Sequence, residues 1–228
     1  FTASSLFFHL TEKDDFNKKR FDFTSINGKV IPVVAYSRSN YNLWGIEKKV
    51  EDILNELEGK LGAWSHPSLT IYIAGLGGME YSGATMTSLR ALGHEITHSY
   101  FARGVMPING NSGWLDEAIA SWRDDGYQSH SSLRYSSAKM SGFSQYKRTT
   151  DRKAYNEGAK FMAYLNGQLE SLGGLETFLS QVYNKYVHKT ITTELFRSEL
   201  EAFSGQDFKR DFQGHVYGVG SRKSGHGA

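Results

Sequence analysis

His94-Glu95-Ile96-Thr97-His98 is the stretch that decides how this chain reads. On a helix, residues four apart lie on one face, so both imidazoles can aim at one ion. Glu95 falls one position past the first histidine. That places its carboxylate beside such an ion rather than on it, where it can take a proton from water. His-Glu-x-x-His is the pattern of zinc hydrolases, in which the metal makes water nucleophilic at neutral pH. A catalytic zinc takes three protein ligands and keeps a fourth position open. The chain has no cysteine, so the ligands must be His, Asp or Glu, and no disulfide forms.

Glu117 is the candidate third ligand. It follows His98 with eighteen residues between, on the next expected helix, flanked by Trp114-Leu115 and Ala118-Ile119-Ala120. A carboxylate in so apolar a setting needs a partner, and zinc would be one. Asp124, seven residues further along the same helical face, is a candidate to orient a ligand histidine through its second ring nitrogen. His9, His66, His130, His188, His215 and His226 lack metal spacing and read as surface or structural residues.

Strands are expected before this motif and helices after it. Leu6-Phe7-Phe8-His9-Leu10 is a short apolar run, Arg20 to Thr24 alternates, and Lys29 to Val34 is β-branched. Asn27-Gly28 between the last two is a hairpin signal, and Pro32 suggests an edge strand or a bulge. Ile46, Val50, Ile53, Leu54, Leu57 and Leu61 recur at helical spacing, giving a helix over about Tyr41 to Leu61. Leu69 to Ala74 reads as a strand running into a glycine-rich turn, Gly75 to Gly83. The motif helix is expected from Thr87 to Ala102, with Gly104 as its cap, and the next from Leu115 to Asp124. Gly126 to Thr150 is polar and aperiodic. Three apolar stripes follow, led by Tyr155, Leu175 and Ile191.

Four segments in order resemble the gluzincin peptidases related to aminopeptidase N and leukotriene hydrolase. The first is the zinc motif with its glutamate eighteen residues on. Gly77-Gly78-Met79-Glu80 is similar to that family's G-x-M-E-N substrate-binding segment. Tyr100-Phe101 resembles its W-F pair, and Tyr155-Asn156-Glu157-Gly158-Ala159 its Y-x-K-G segment. The resemblance covers most of the chain. It implies an α+β, thermolysin-like zincin fold: an N-terminal mixed β-sheet, then a mainly α-helical lobe, with the zinc site between them. It implies one zinc ion per chain and peptide-bond hydrolysis, with an aminopeptidase expected ahead of an endopeptidase or a silent peptide-binding module. It also assigns roles. Glu80 would hold a substrate's α-amine, Gly77 and Gly78 would pair with the substrate backbone, and Tyr155 would hydrogen-bond the oxyanion. Tyr81, Asp116, Ala118 and Asn156-Glu157 depart from the family's pattern and bear on which peptides are taken.

The 228 residues suffice for one large domain, expected over residues 1–220 with a flexible basic tail at 221–228. The family's further domains are expected to be missing from this stretch. A formal charge of +2 gives no argument for a nucleic-acid partner, and no apolar run is long enough to insert in a membrane. A peptide substrate is the expected partner; the lack of cysteine decides no compartment, and an extracellular or periplasmic setting is favoured over a cytoplasmic one.

Overall fold

Alternating exposure along β1 (Phe16–Thr24) and β2 (Val30–Arg38) follows the alternation of side chains in the sequence. Ile31, Val33 and Ala35 turn inward, while Lys18, Arg20 and Asp22 of β1 stay outside. The computed structural model describes residues 12, 15–38, 41–75, 77–108, 111–133, 138–141 and 150–219. The strand expected at Leu6 to Leu10 and the tail from Ser221 lie outside them. Two compact units divide the chain: Phe1–Met106 with Glu176–Thr190, and Pro107–Leu175 with Ile191–Ala228.

In the first unit β1 and β2 are followed by α1 (Ile46–Leu61), β3 (Leu69–Ile73), β4 (Gly78–Tyr81), β5 (Ala84–Thr87) and α2 (Leu92–Thr97). The strands form one mixed sheet in the order β1-β2-β3-β5-β4. β2-β3 and β3-β5 are parallel, and β1-β2 and β4-β5 are antiparallel. The expected mixed sheet is therefore present. Pro32, however, lies on an interior strand rather than an edge. It escapes a penalty because the β2-β3 register begins at Val33↔Leu69, one residue beyond it.

α1 starts at Ile46 rather than Tyr41, because Gly45 before it is left-handed, with φ 73. Its apolar stripe is buried, as its period requires. So is Glu58, which the stripe did not predict. The Glu58 carboxylate accepts from Ser25 Oγ, from Ile26 N at 2.7 Å and from Trp64 N at 2.7 Å, which satisfies its charge and ties the β1-β2 turn to the chain after α1.

The segment read as a glycine-rich turn is a hairpin, β4-β5, closed at Ser82-Gly83, with Gly83 at φ 69. Glu80 accordingly sits on a strand. Thr87 belongs to β5, so the motif helix cannot begin there. α2 is only six residues long. Beyond it the backbone bonds are irregular, from Tyr100 N to Thr97 O at 2.9 Å and from Arg103 N to His98 O at 3.0 Å. Thr97 contributes to this early end, since its hydroxyl donates back to Gly93 O at 2.8 Å, a bond that tends to bend helices.

The second unit holds α3 (Trp114–Asp124) and α4 (Lys153–Gln168). α5 (Gly174–Tyr186) begins there and continues in the first unit, and α6 (Thr193–Ser204) and α7 (Lys209–His215) complete the second. Its core is aromatic. Phe161 lies 5.9 Å from Trp114 and 5.3 Å from Phe212 between ring centroids. Trp114 Nε1 donates to Thr193 Oγ1 at 3.0 Å, which satisfies the one polar atom of a buried ring. α3 and α4 are packed face to face.

Candidate metal and peptide-binding residues

α2 carries the first half of the motif chemistry. The His94 and His98 rings stand on one face, with centroids 4.9 Å apart and planes at 80°. Leu92 and Ile96, on the opposite face, are fully buried. α2 packs against α1, β4 and β5, and that packing holds so short a helix in place. Glu95 is buried, with 6% of its surface exposed. The reason is local: a Cβ built on Gly78 of β4 would overlap the Glu95 carboxylate. Only glycine lets the strand approach that closely. Gly77, just before β4, has φ 70, again a conformation that suits glycine.

Glu80, Glu95 and His98 each bring a ligand atom within 4.8 Å of the others. The structure therefore joins the expected amine-binding carboxylate to the expected base and one ligand histidine. Two carboxylates so close repel one another unless a cation offsets them. Arg103 is that cation. Its Nη2 donates to Glu80 Oε1 at 3.0 Å and to the Glu80 carbonyl oxygen at 3.1 Å, and both side chains are largely covered. No local sequence pattern announces this pair, because its members lie 23 positions apart and meet only when β4 folds onto the turn after α2.

Behind α2, buried His66 donates from Nε2 to Ser99 O at 2.9 Å. Burial pushes its pKa below the usual histidine value, against the raising effect of that bond. The expectation that His66 is structural accords with this environment.

The second unit carries Glu117 and Tyr155. Glu117 lies in the first turn of α3, where the helix dipole favours a carboxylate, and its backbone N–H donates to Asp116 Oδ1 at 2.8 Å. The Tyr155 hydroxyl, on α4, donates to Glu117 Oε1 at 2.7 Å. Gly158 brings this about. It lies on the face of α4 that carries Tyr155, and a Cβ there would stand 2.7 Å from the Ala118 Cβ. The bare glycine lets α4 close on α3 until the phenol reaches Glu117. Asp124, at the exposed end of α3, pairs with Arg123 at 3.2 Å. It lies about 10 Å along the helix axis from Glu117.

The mixed sheet and the helices that follow it are similar in fold to zinc metallopeptidase domains of known structure. An M1 zinc metallopeptidase of Deinococcus radiodurans, a mutant bound to a Tyr-Ser-Ala substrate, superposes with a TM-score of 0.72 at 13% identity, covering 96% of this chain and 61% of that one. Aminopeptidase A of Legionella pneumophila gives 0.64 at 12% identity, covering 89% and 28%. Leukotriene A4 hydrolase of Saccharomyces cerevisiae gives 0.63 at 16% identity, covering 78% and 35%. At these identities the likeness is one of fold, and the chain spans less than two thirds of each of these proteins. No family model matches the chain, and no curated protein does. Among the described residues, no helix is long and apolar enough to cross a membrane.

Proposed function

We propose that this chain is a zinc-dependent peptidase domain that hydrolyses peptide bonds, releasing N-terminal residues. The observation that carries the proposal is the pair of imidazoles on one side of α2, His94 within it and His98 at its C-cap, with the buried Glu95 carboxylate beside them where Gly78 leaves room. The donor set suits zinc: two imidazoles from His94 and His98, and one carboxylate from Glu117. Zinc, when bound, supplies the Lewis acidity that polarises a carbonyl and activates water.

The chain's own groups do the rest. Glu95 accepts the proton of the attacking water and passes it to the leaving amine. Tyr155 leaves Glu117 to donate its hydrogen bond to the oxyanion. Gly78 opens β4 and Gly77 precedes it, and β4 is an edge strand of the sheet among the described residues, where a peptide can add as a strand. Glu80, beside Glu95, receives the substrate's ammonium group.

A second reading, cleavage within chains, is favoured by one observation: Arg103 already occupies Glu80. Zinc content by atomic emission, with turnover of a fluorogenic peptide in free and N-acetylated forms, tests both. A protein that binds zinc but cleaves neither form would end the peptidase proposal. Equal cleavage of the two forms would support the second reading.

A further inference from the structure

We infer that Arg103 is a specificity-determining residue, a built-in counter-cation that weakens the hold of Glu80 on a free amino terminus. The inference rests on the peptidase reading only in taking β4 as the substrate strand. Its basis is the chelate described above: one guanidinium nitrogen bridges the carboxylate and the carbonyl oxygen of the same residue. Arg103 is itself fixed from behind, because its backbone N–H donates to His98 O at 3.0 Å. That bond anchors the main chain from which the guanidinium reaches Glu80, and the side chain itself is held by its two bonds to Glu80 and its partial burial.

Two effects compete. Arg103 orders the Glu80 side chain, which favours any ligand of that carboxylate. The saving is small, since β4 is already a paired strand and the side chain is largely covered; it is worth less than about fivefold in affinity. Against it stands repulsion. An ammonium on the second oxygen of the same carboxylate would lie about 6 Å from the guanidinium. Like charges at that range disfavour binding by about 100-fold in a part-buried setting, and by about tenfold once residual exposure is discounted. Repulsion wins, so Arg103 lowers the affinity for free amines. A neutral, acylated or internal peptide feels no such repulsion. The pair therefore makes the subsite tolerant of blocked amino termini, and the sign of the effect distinguishes this role from simple positioning.

The experiment compares the zinc-loaded parent with Arg103→Met, Arg103→Lys and Arg103→Met/Glu80→Gln, using calorimetric titration with leucinamide and N-acetyl-leucinamide. Arg103→Met is expected to tighten leucinamide about tenfold and leave the acetylated probe unchanged. Arg103→Lys keeps the cation and the parent's affinity. Adding Glu80→Gln removes the gain, because the carboxylate is its source. With free and acetylated peptides, the Arg103→Met gain appears in KM rather than kcat. Thermal unfolding checks each fold, and Arg103→Gln replaces the methionine variant should that one not fold. The inference is overturned by an Arg103→Met protein that binds leucinamide no tighter than the parent. It is also overturned by a gain that survives Glu80→Gln, or by leucinamide binding to none of the proteins. Failure of the zinc-loaded parent to cleave any peptide would defeat the peptidase reading alone, since the titration needs no turnover.

Discussion

Gly78 and Glu95 share one space: the carboxylate of the helix residue fills the volume in which a side chain on the strand residue would stand. A methyl group at position 78 must displace one of them. Gly78→Ala is therefore expected to move the Glu95 carboxylate and cut kcat/KM by at least about 100-fold, since misplacement of a reacting group by about 1 Å is that costly. Zinc content should be kept, because neither imidazole is displaced directly. Peptide turnover, normalised to bound metal, checks this.

Glu95→Gln should fold and hold zinc as the parent does, and lose turnover by about 100-fold or more. The amide keeps the size of the carboxylate but cannot accept a proton. Substantial hydrolysis by the metal-loaded variant would remove Glu95 from the role of base.

Glu117→Ala removes a charged ligand and leaves two imidazoles. Bound zinc after dialysis should drop to a small fraction of the parent's, measured by atomic emission. A variant that retains the metal as tightly as the parent would mean that the third ligand is another residue.

Tyr155→Phe deletes one hydroxyl and the bond it makes to Glu117. The rate constant kcat is expected to decrease by about 100-fold with a smaller change in KM, because a donor to the oxyanion acts in the transition state. An unchanged rate would remove the phenol from the role of oxyanion donor.

The pKa values of His66 and His188 are lowered in the first unit, and that of His215 in the second, with burial the largest cause in each case. A histidine with a folded-state pKa below 6.5 contributes stability that is fully present above pH 6.5 and lost as pH falls through that value toward the folded pKa. The unfolding temperature should therefore fall on acidification from pH 7 to 5. His66→Asn should flatten part of that slope. A slope unchanged in the variant would assign the pH dependence to other groups.

The residues differ in how far their sequence announced them. The α1 stripe, the alternation of β1 and the β-branched run of β2 were legible because each depends on local pattern. β4 and β5 were hidden by their composition: Gly77, Gly78 and Gly83 read as a turn, and only pairing with β3 makes the segment a sheet. α7 went unread, since Lys209 and Arg210 at its start obscure the buried Phe212. Glu58 interrupts no pattern, yet three donors from two stretches of chain, Ser25-Ile26 and Trp64, hold it inside. Arg103 is the clearest case, because the meaning of an arginine lies in the carboxylate it meets, and local spacing does not encode that meeting. For Asp124, spacing alone placed it on the Glu117 face, and the structure adds a contact with its neighbour Arg123.

The brevity of α2 would couple the proposed zinc to the backbone. Six residues make fewer than two turns, too few to persist through their own hydrogen bonds. Their order is borrowed from Leu92 and Ile96 on one side and from whatever the two imidazoles grip on the other. On the proposed zinc reading, metal occupancy and local order at this helix are linked, so a chelator is expected to loosen it. Amide exchange at residues 94–98 would quicken as the ion leaves, while the β2-β3 core, sealed by Ile31, Val33 and Ile71, kept its protection.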